Sequence, residues 1–134
     1  MPVITRFTQD NVGVVLLSQG VVTGAELVNA VKGVYAAPEF EQLKYWISDM
    51  SGRTEFLPST EQVNGLIALD KVESLRNPEM VLILVAEQKL EYGLARMVQL
   101  GSDGKSYSTM VFSNRTEADK WLADTMGYSP IIDM

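Results

Sequence analysis

The chain has 134 residues, a length that fits one domain, with 17 acidic and 11 basic residues and neither histidine nor cysteine. The missing cysteines exclude disulfides, thiol nucleophiles and cysteine-bearing zinc or iron–sulfur sites, and the missing histidines exclude Ser-His-Asp triads and histidine-ligated metals. The formal net charge of −6 and the scattered cations disfavour binding to DNA, RNA or an anionic membrane.

The N-terminus does not resemble a secretory signal, because no basic segment is followed by an apolar one. The longest apolar run, Met80–Ala86, is far shorter than the roughly 20 residues that cross a bilayer as a helix. We therefore expect a soluble cytoplasmic protein.

Two strands and a helix are predicted at the start of the chain. Val3–Thr8 and Val12–Leu17 are separated by a three-residue polar turn, which indicates a hairpin. Thr23 and Glu26 have the spacing of a capping box, so a helix begins there and ends before Pro38.

The middle of the chain predicts a third strand and a second helix. Leu43–Asp49 alternates as a strand, and Met50 to Gly52 is interpreted as a turn. Ser59 and Gln62 form a second capping box, whose helix ends near Arg76 before an Asn-Pro pair.

The continuous apolar run described above is typical of a parallel strand that is buried on both faces, and we expect it to be central in the sheet. A third helix is predicted over Leu90–Leu100, ended by Gly101 and Gly104. Ser108–Ser113 is the last strand, and Asn114 caps the last helix.

The resulting order is β-β-α-β-α-β-α-β-α. Strands that alternate with helices imply right-handed crossovers and a mainly parallel sheet, while the opening hairpin adds one antiparallel N-terminal strand. The sequence therefore predicts a single α/β domain with a five-stranded sheet.

Several stretches together resemble one family. They are GVVLLSQGVVTGAEL near the start, WISDMSG (Trp46–Gly52), YGLARM (Tyr92–Met97) and VFSNRTEADKWL (Val111–Leu122). Their order over residues 3–124 resembles the SpoIIAA-like group of small bacterial proteins, related to STAS domains and to CRAL-TRIO lipid carriers. The resemblance implies a β-α superhelical fold and a non-catalytic interaction or regulatory role, with lipid carriage as the alternative.

The resemblance also implies a modification site at Ser59. Some STAS domains are switched by phosphorylation of a serine at the start of the helix after the third strand. The Asp-Ser-Ser signature of those domains is replaced here by Asp49, Met50 and Ser51, with more residues before the helix. We therefore favour a helix-capping role for Ser59 over phosphorylation.

Polar residues are predicted at the carboxyl edge of the sheet, where open α/β sheets bind ligands. They are Asp49, Ser51 and Arg53 after the third strand, Glu87 after the fourth and Ser113 after the last. The alternative for Asp49, which we favour, is that it accepts N–H groups of its own turn.

Tyr92 and Arg96 are predicted to point outward from the third helix, in a pattern typical of an interface. We expect them to lie near Asp49 and to form a ligand or partner surface. The alternatives are a solvated Arg96 beside a Tyr92 packed along its own helix, or an Arg96–Asp49 salt bridge that serves only structure.

Asp70 shares a helical stripe with Val63 and Leu66. A buried carboxylate there would suit a general acid, but we expect the helix to turn Asp70 toward water or Lys71.

These observations favour a non-catalytic STAS-like interaction module without cofactor or metal, forming a homodimer. The alternative is a carrier of a lipid or another apolar small molecule. A carrier requires a closed apolar cavity of about 300 Å³ or more, whereas an interaction module requires a filled core and an exposed apolar patch.

Overall fold

The computed structural model describes residues 3–100 and 108–133. The sheet strands are β1 (Val3–Phe7), β2 (Gly13–Thr23), β3 (Tyr45–Leu57), β4 (Val81–Val85) and β5 (Ser108–Phe112). The α-helices are α1 (Gly24–Ala36), α2 (Thr60–Glu73), α3 (Lys89–Leu100) and α4 (Arg115–Met126). Short 3₁₀ turns cover Pro38–Gln42 and Ser74–Arg76.

The strands lie in the order β1-β2-β3-β4-β5. β1 pairs with β2 in the antiparallel sense, and the three remaining pairs are parallel. The predicted α/β class, the element order and the single antiparallel N-terminal strand are confirmed. The apolar run forms β4, which lies between β3 and β5 and is buried from Leu82 to Ala86, but the middle strand of the sheet is β3.

Helices cover the two faces of the sheet unequally. One face packs against α1, α2 and α3 through residues such as Val34, Leu66 and Ala95. The other face packs against α4 and the segment that follows it, through residues such as Leu122 and Tyr128. Because side chains alternate along a strand, the core residues of β3 divide between these two clusters, with Trp46 in the first.

The turn predicted from Met50 to Gly52 is wrong, because β3 continues to Leu57. Its register against β2 shifts twice, between Leu17 and Gln19 and again between Gly20 and Val21, and at each shift β3 holds one extra residue. Asp49 Oδ1 accepts the backbone N–H of Ser51 at 3.0 Å. The turn-forming residues therefore make a bulge inside a long strand.

The helix boundaries follow the predicted caps. Thr23 and Ser59 each form a complete capping box, and Asn114 accepts the N–H of Glu117 at 2.8 Å. The predicted stop of α3 at Gly101 and Gly104 lies outside the described residues. Within the described ranges, none of the helices combines the length and apolarity that a membrane crossing requires.

Candidate functional sites

Asp49 lies at the carboxyl edge of the sheet, level with Val85, the last residue of β4. Its Oδ2 accepts a hydrogen bond from Arg115 Nη1 at 3.2 Å, and Arg115 Nε donates to Asp119 at 2.7 Å. The hydroxyl and N–H of Ser51 both donate to the other Asp49 oxygen. The favoured interpretation, a local N–H partner for Asp49, is confirmed, and the ion-pair partner is Arg115 rather than Arg96.

The expected proximity of Asp49 to Tyr92 and Arg96 is not found. Asp49 reaches α4, which covers one face of the sheet, whereas α3 covers the other. Tyr92 is 38% exposed, and Arg96, also exposed, donates to Gln99 on its own helix. Both side chains point outward as predicted, but the geometry leaves them as a separate surface.

The prediction that Arg53 follows the third strand is wrong. Because β3 continues past the bulge, Arg53 lies inside it and is only 3% exposed. Its backbone carbonyl accepts a hydrogen bond from Gln88 Nε2 at 3.3 Å, and Glu87 is exposed beside Gln88. The backbone of Arg53 is therefore hydrogen-bonded to the turn between β4 and α3.

Asp70 is buried, at 6% exposed, and the hydroxyl of Tyr35 on α1 donates to it. The expectation that it reaches water or Lys71 is therefore wrong. Asp70 and Arg53 line a largely apolar cavity of about 70 Å³ between the sheet and helices α1 to α3. This volume is well below what a carrier of an apolar molecule needs.

A second concavity lies on the outer side of the helical layer, between α1 and α2, and we call it the α1–α2 groove. It has a volume of about 540 Å³. Its lining residues are Val28, Lys32, Glu61, Gln62, Gly65, Leu66, Ala68, Leu69 and Val72. Val72 is 64% exposed, and Leu75, one helical turn further along, is 70% exposed.

The predictions from the sequence do not include this groove, although a signal is present. Gly65, Ala68 and Val72 are apolar or small, yet they lie outside the stripe that carries Val63 and Leu66 into the core. A helix that is apolar on both sides has one face left for another partner. Arg115 was also missed, because its pair with Asp49 joins residues 66 positions apart.

The acidic side chains of the described residues do not form a cluster of the kind that holds a metal ion. Nowhere in 3–100 and 108–133 do three acidic side chains approach closely enough to share a metal ion. Asp49, which belongs to the predicted site, and Asp119 both contact the Arg115 guanidinium.

The hydroxyl of Ser59, the residue at which the family resemblance implies a modification site, accepts the N–H of Gln62 at 3.0 Å.

Comparison with known proteins identifies a similar fold. No protein-family model and no curated protein matches the chain. A solved structure does: an uncharacterized protein of the DUF3478 family with a SpoIIAA-like fold, from Shewanella loihica PV-4. The two share 12% identity over 90% of this chain and 91% of that one, with a TM-score of 0.53. The chain therefore has a SpoIIAA-like fold.

Proposed function

We propose that this chain is a non-catalytic protein-interaction module and that its partner docks in the α1–α2 groove. The observation that carries the proposal is the contrast between the two concavities. The core cavity has about 70 Å³, whereas the exposed groove has about 540 Å³ and is lined in part by Val28, Leu69 and the largely exposed Val72. Apolar side chains grouped on a surface mark interaction sites more often than singly exposed ones do.

Two buried carboxylates, Asp49 on β3 and Asp70 on α2, support a structural role rather than catalysis. Asp49 contacts Arg115 and Ser51, and Asp70 accepts a hydrogen bond from Tyr35. A general acid or base has to reach a substrate proton, and these groups are already engaged. This arrangement favours a module whose buried polar groups stabilise the fold.

Lipid or small-molecule carriage is the second candidate. It is favoured by the mainly apolar lining of the core cavity, which includes Leu16, Val31 and Leu84. A cavity of roughly 150 Å³ accommodates benzene, so a volume of about 70 Å³ is too small for a lipid chain unless the helices separate.

Site-specific photo-crosslinking in the cells that make the protein tests the proposal. A benzophenone side chain replaces Val72 in the groove or, as a control, Lys120 on α4, which is 80% exposed and lies on the other side of the sheet. We expect a discrete protein adduct from position 72 and none from position 120.

Native mass spectrometry of the protein purified from the same cells tests the alternative, that the chain carries a small molecule. The proposal is overturned if position 72 gives no protein adduct while the folded chain retains a small molecule that is released on unfolding. That result would assign the chain to the carriers.

A further inference from the structure

We infer that the partner in the α1–α2 groove is a second copy of this chain, with α2 of each copy packed antiparallel against α2 of the other. The inference rests on the proposed function, because it names the occupant of the same groove. The two-fold axis passes close to Ala68, which lines the groove near the middle of α2. A surface that contacts itself in this way must be self-complementary in shape and in charge.

The shape of α2 meets the first condition. Gly65 and Val72 both line the groove. They are seven residues apart, which is two helical turns and about 10 Å along the helix axis. A two-fold axis midway between them places Val72 of each copy over Gly65 of the other. A Cβ atom added at Gly65 has no neighbour within 4 Å, so this position offers space for the partner's valine.

The charges of α2 meet the second condition. Glu61 is in the first turn of the helix, and Lys71 is in the last turn. The last turn also holds Glu73, so the favourable contact is local: antiparallel packing brings Lys71 of each copy to the end that holds Glu61 of the other, and it sets the two helix dipoles in opposite directions, which is favourable.

The groove also lacks the negative charge of the rest of the chain. Its lining holds one acidic side chain, Glu61, and one basic side chain, Lys32, whereas the whole chain carries −6. Two copies of an acidic protein repel each other least at a neutral surface. The groove is therefore a favourable place for like copies to meet.

Complementary variants test the pairing by sedimentation equilibrium. Gly65→Leu fills the space that receives Val72 of the other copy, and we expect the dimer to weaken about tenfold or more. Val72→Ala removes the side chain that fills this space, and the dimer should weaken as well. An equimolar mixture of the two variants should recover association, because leucine at 65 then faces alanine at 72 while the second contact is wild type.

The control is Gly33→Leu on α1. Gly33 is also an exposed helical glycine with no atom within 4 Å of an added Cβ, but it does not line the groove. Both glycine replacements favour the helix, so neither should lower the melting temperature at a protein concentration at which the wild-type chain is monomeric. Gly33→Leu should leave the dimer unchanged.

Three results would overturn the inference. They are a wild-type chain that is monomeric at 100 µM (roughly the range of weak dimers), equal effects of Gly33→Leu and Gly65→Leu, and a mixture that associates no better than its components. If the chain is monomeric while position 72 crosslinks to a protein of another mass, the inference fails and the proposed function stands.

Discussion

The fold holds the buried phenol of Tyr45 in its protonated form. The side chain is fully buried, and its hydroxyl donates to Asp10 Oδ2 at 3.2 Å. Burial is the main cause that raises the pKa of Tyr45 from 10.0 to about 12, and the negative charge of Asp10 adds to it. The unfolded chain therefore releases this proton at a lower pH than the folded chain does.

This difference in pKa predicts a loss of stability at high pH. The contribution of Tyr45 to the free energy of unfolding is complete below pH 10 and declines as the pH rises toward about 12. In Tyr45→Phe this titration is absent, so the melting temperature should fall less steeply over the same interval. Thermal melts of the wild type and Tyr45→Phe over this pH interval measure the difference between the two proteins, and the titration of the other tyrosines cancels in that difference. If the melting temperatures of the two proteins fall in parallel with pH, the assignment to Tyr45 is contradicted.

The ion pair of Asp49 predicts a specific coupling. The side chains of Asp49 and Arg115 are 11% and 24% exposed, so water screens their attraction only in part. A double-mutant cycle with Asp49→Asn and Arg115→Met should give a coupling of about 1 kcal/mol. Denaturant unfolding of the four proteins provides the measurement.

Arg96→Met serves as the matched control in a second cycle with Asp49→Asn. Arg96 donates to Gln99 on α3, which covers the other face of the sheet, and its coupling to Asp49 should be close to zero. A coupling to Arg96 as large as that to Arg115 would restore the original prediction, in which Asp49 and Arg96 share a site.

At the scale of elements, the bulge in β3 requires a glycine at position 52. A Cβ atom there would lie 2.6 Å from the backbone oxygen of Ser18 on β2, a contact that backbone atoms cannot relieve by a rotamer change. We expect Gly52→Ala to lower the free energy of unfolding by about 2 kcal/mol. Urea unfolding measures the change.

Gly93→Ala on α3 is the control for that substitution. Nothing lies within 4 Å of an added Cβ at Gly93, so the same change should raise the free energy of unfolding by about 0.5–1 kcal/mol. If the two variants shift stability in the same direction and by a similar amount, the bulge does not depend on the close approach of β2 and β3.

The bulge also shows why the sequence predicted the fold but misplaced part of the site. Capping residues and the apolar run are local patterns, and they located α1, α2, α4 and β4. The residues from Met50 to Gly52 have turn chemistry, but whether such residues form a loop or a bulge depends on pairing with β2, which is distant in sequence. Arg53 was therefore expected in a loop, and the structure buries it in β3.

Alternation along β3 explains the second discrepancy. Tyr45, Ile47 and Asp49 have the same parity, and the first two pack in the cluster that includes α4. Asp49 therefore belongs to the α4 face, while α3 packs on the opposite face. The sequence contains this parity, but assigning each helix to a face requires the tertiary structure.

At the scale of the whole molecule, the apolar α1–α2 groove and the polar carboxyl edge of the sheet are formed by different residues. At that edge Asp49 and Ser51 contact Arg115 or each other, so their polar groups are largely engaged within the fold. The α1–α2 groove instead lies on the outer side of the three-helix layer, where no sheet residue lines it. Docking in this groove, as proposed above, would therefore leave the sheet undisturbed.

The inferred docking of a second copy predicts that association is coupled to folding of the entire chain. Ligands that bind the folded state stabilise it by mass action, and here the ligand is the protein itself. A hundredfold increase in protein concentration within the dimeric range should stabilise each chain by about 1.4 kcal/mol and raise the melting temperature by roughly 3–5 °C.

Two variants test whether this concentration dependence comes from the groove. Val72→Asp introduces a charge into the apolar groove, so the melting temperature of this variant should not change with concentration. Val21→Asp, at a valine on β2 that is 50% exposed and lies outside the groove, should retain the concentration dependence of the wild type. Differential scanning calorimetry across the concentration series measures all three proteins, and a wild-type melting temperature independent of concentration would show that the folded chain does not pair with itself.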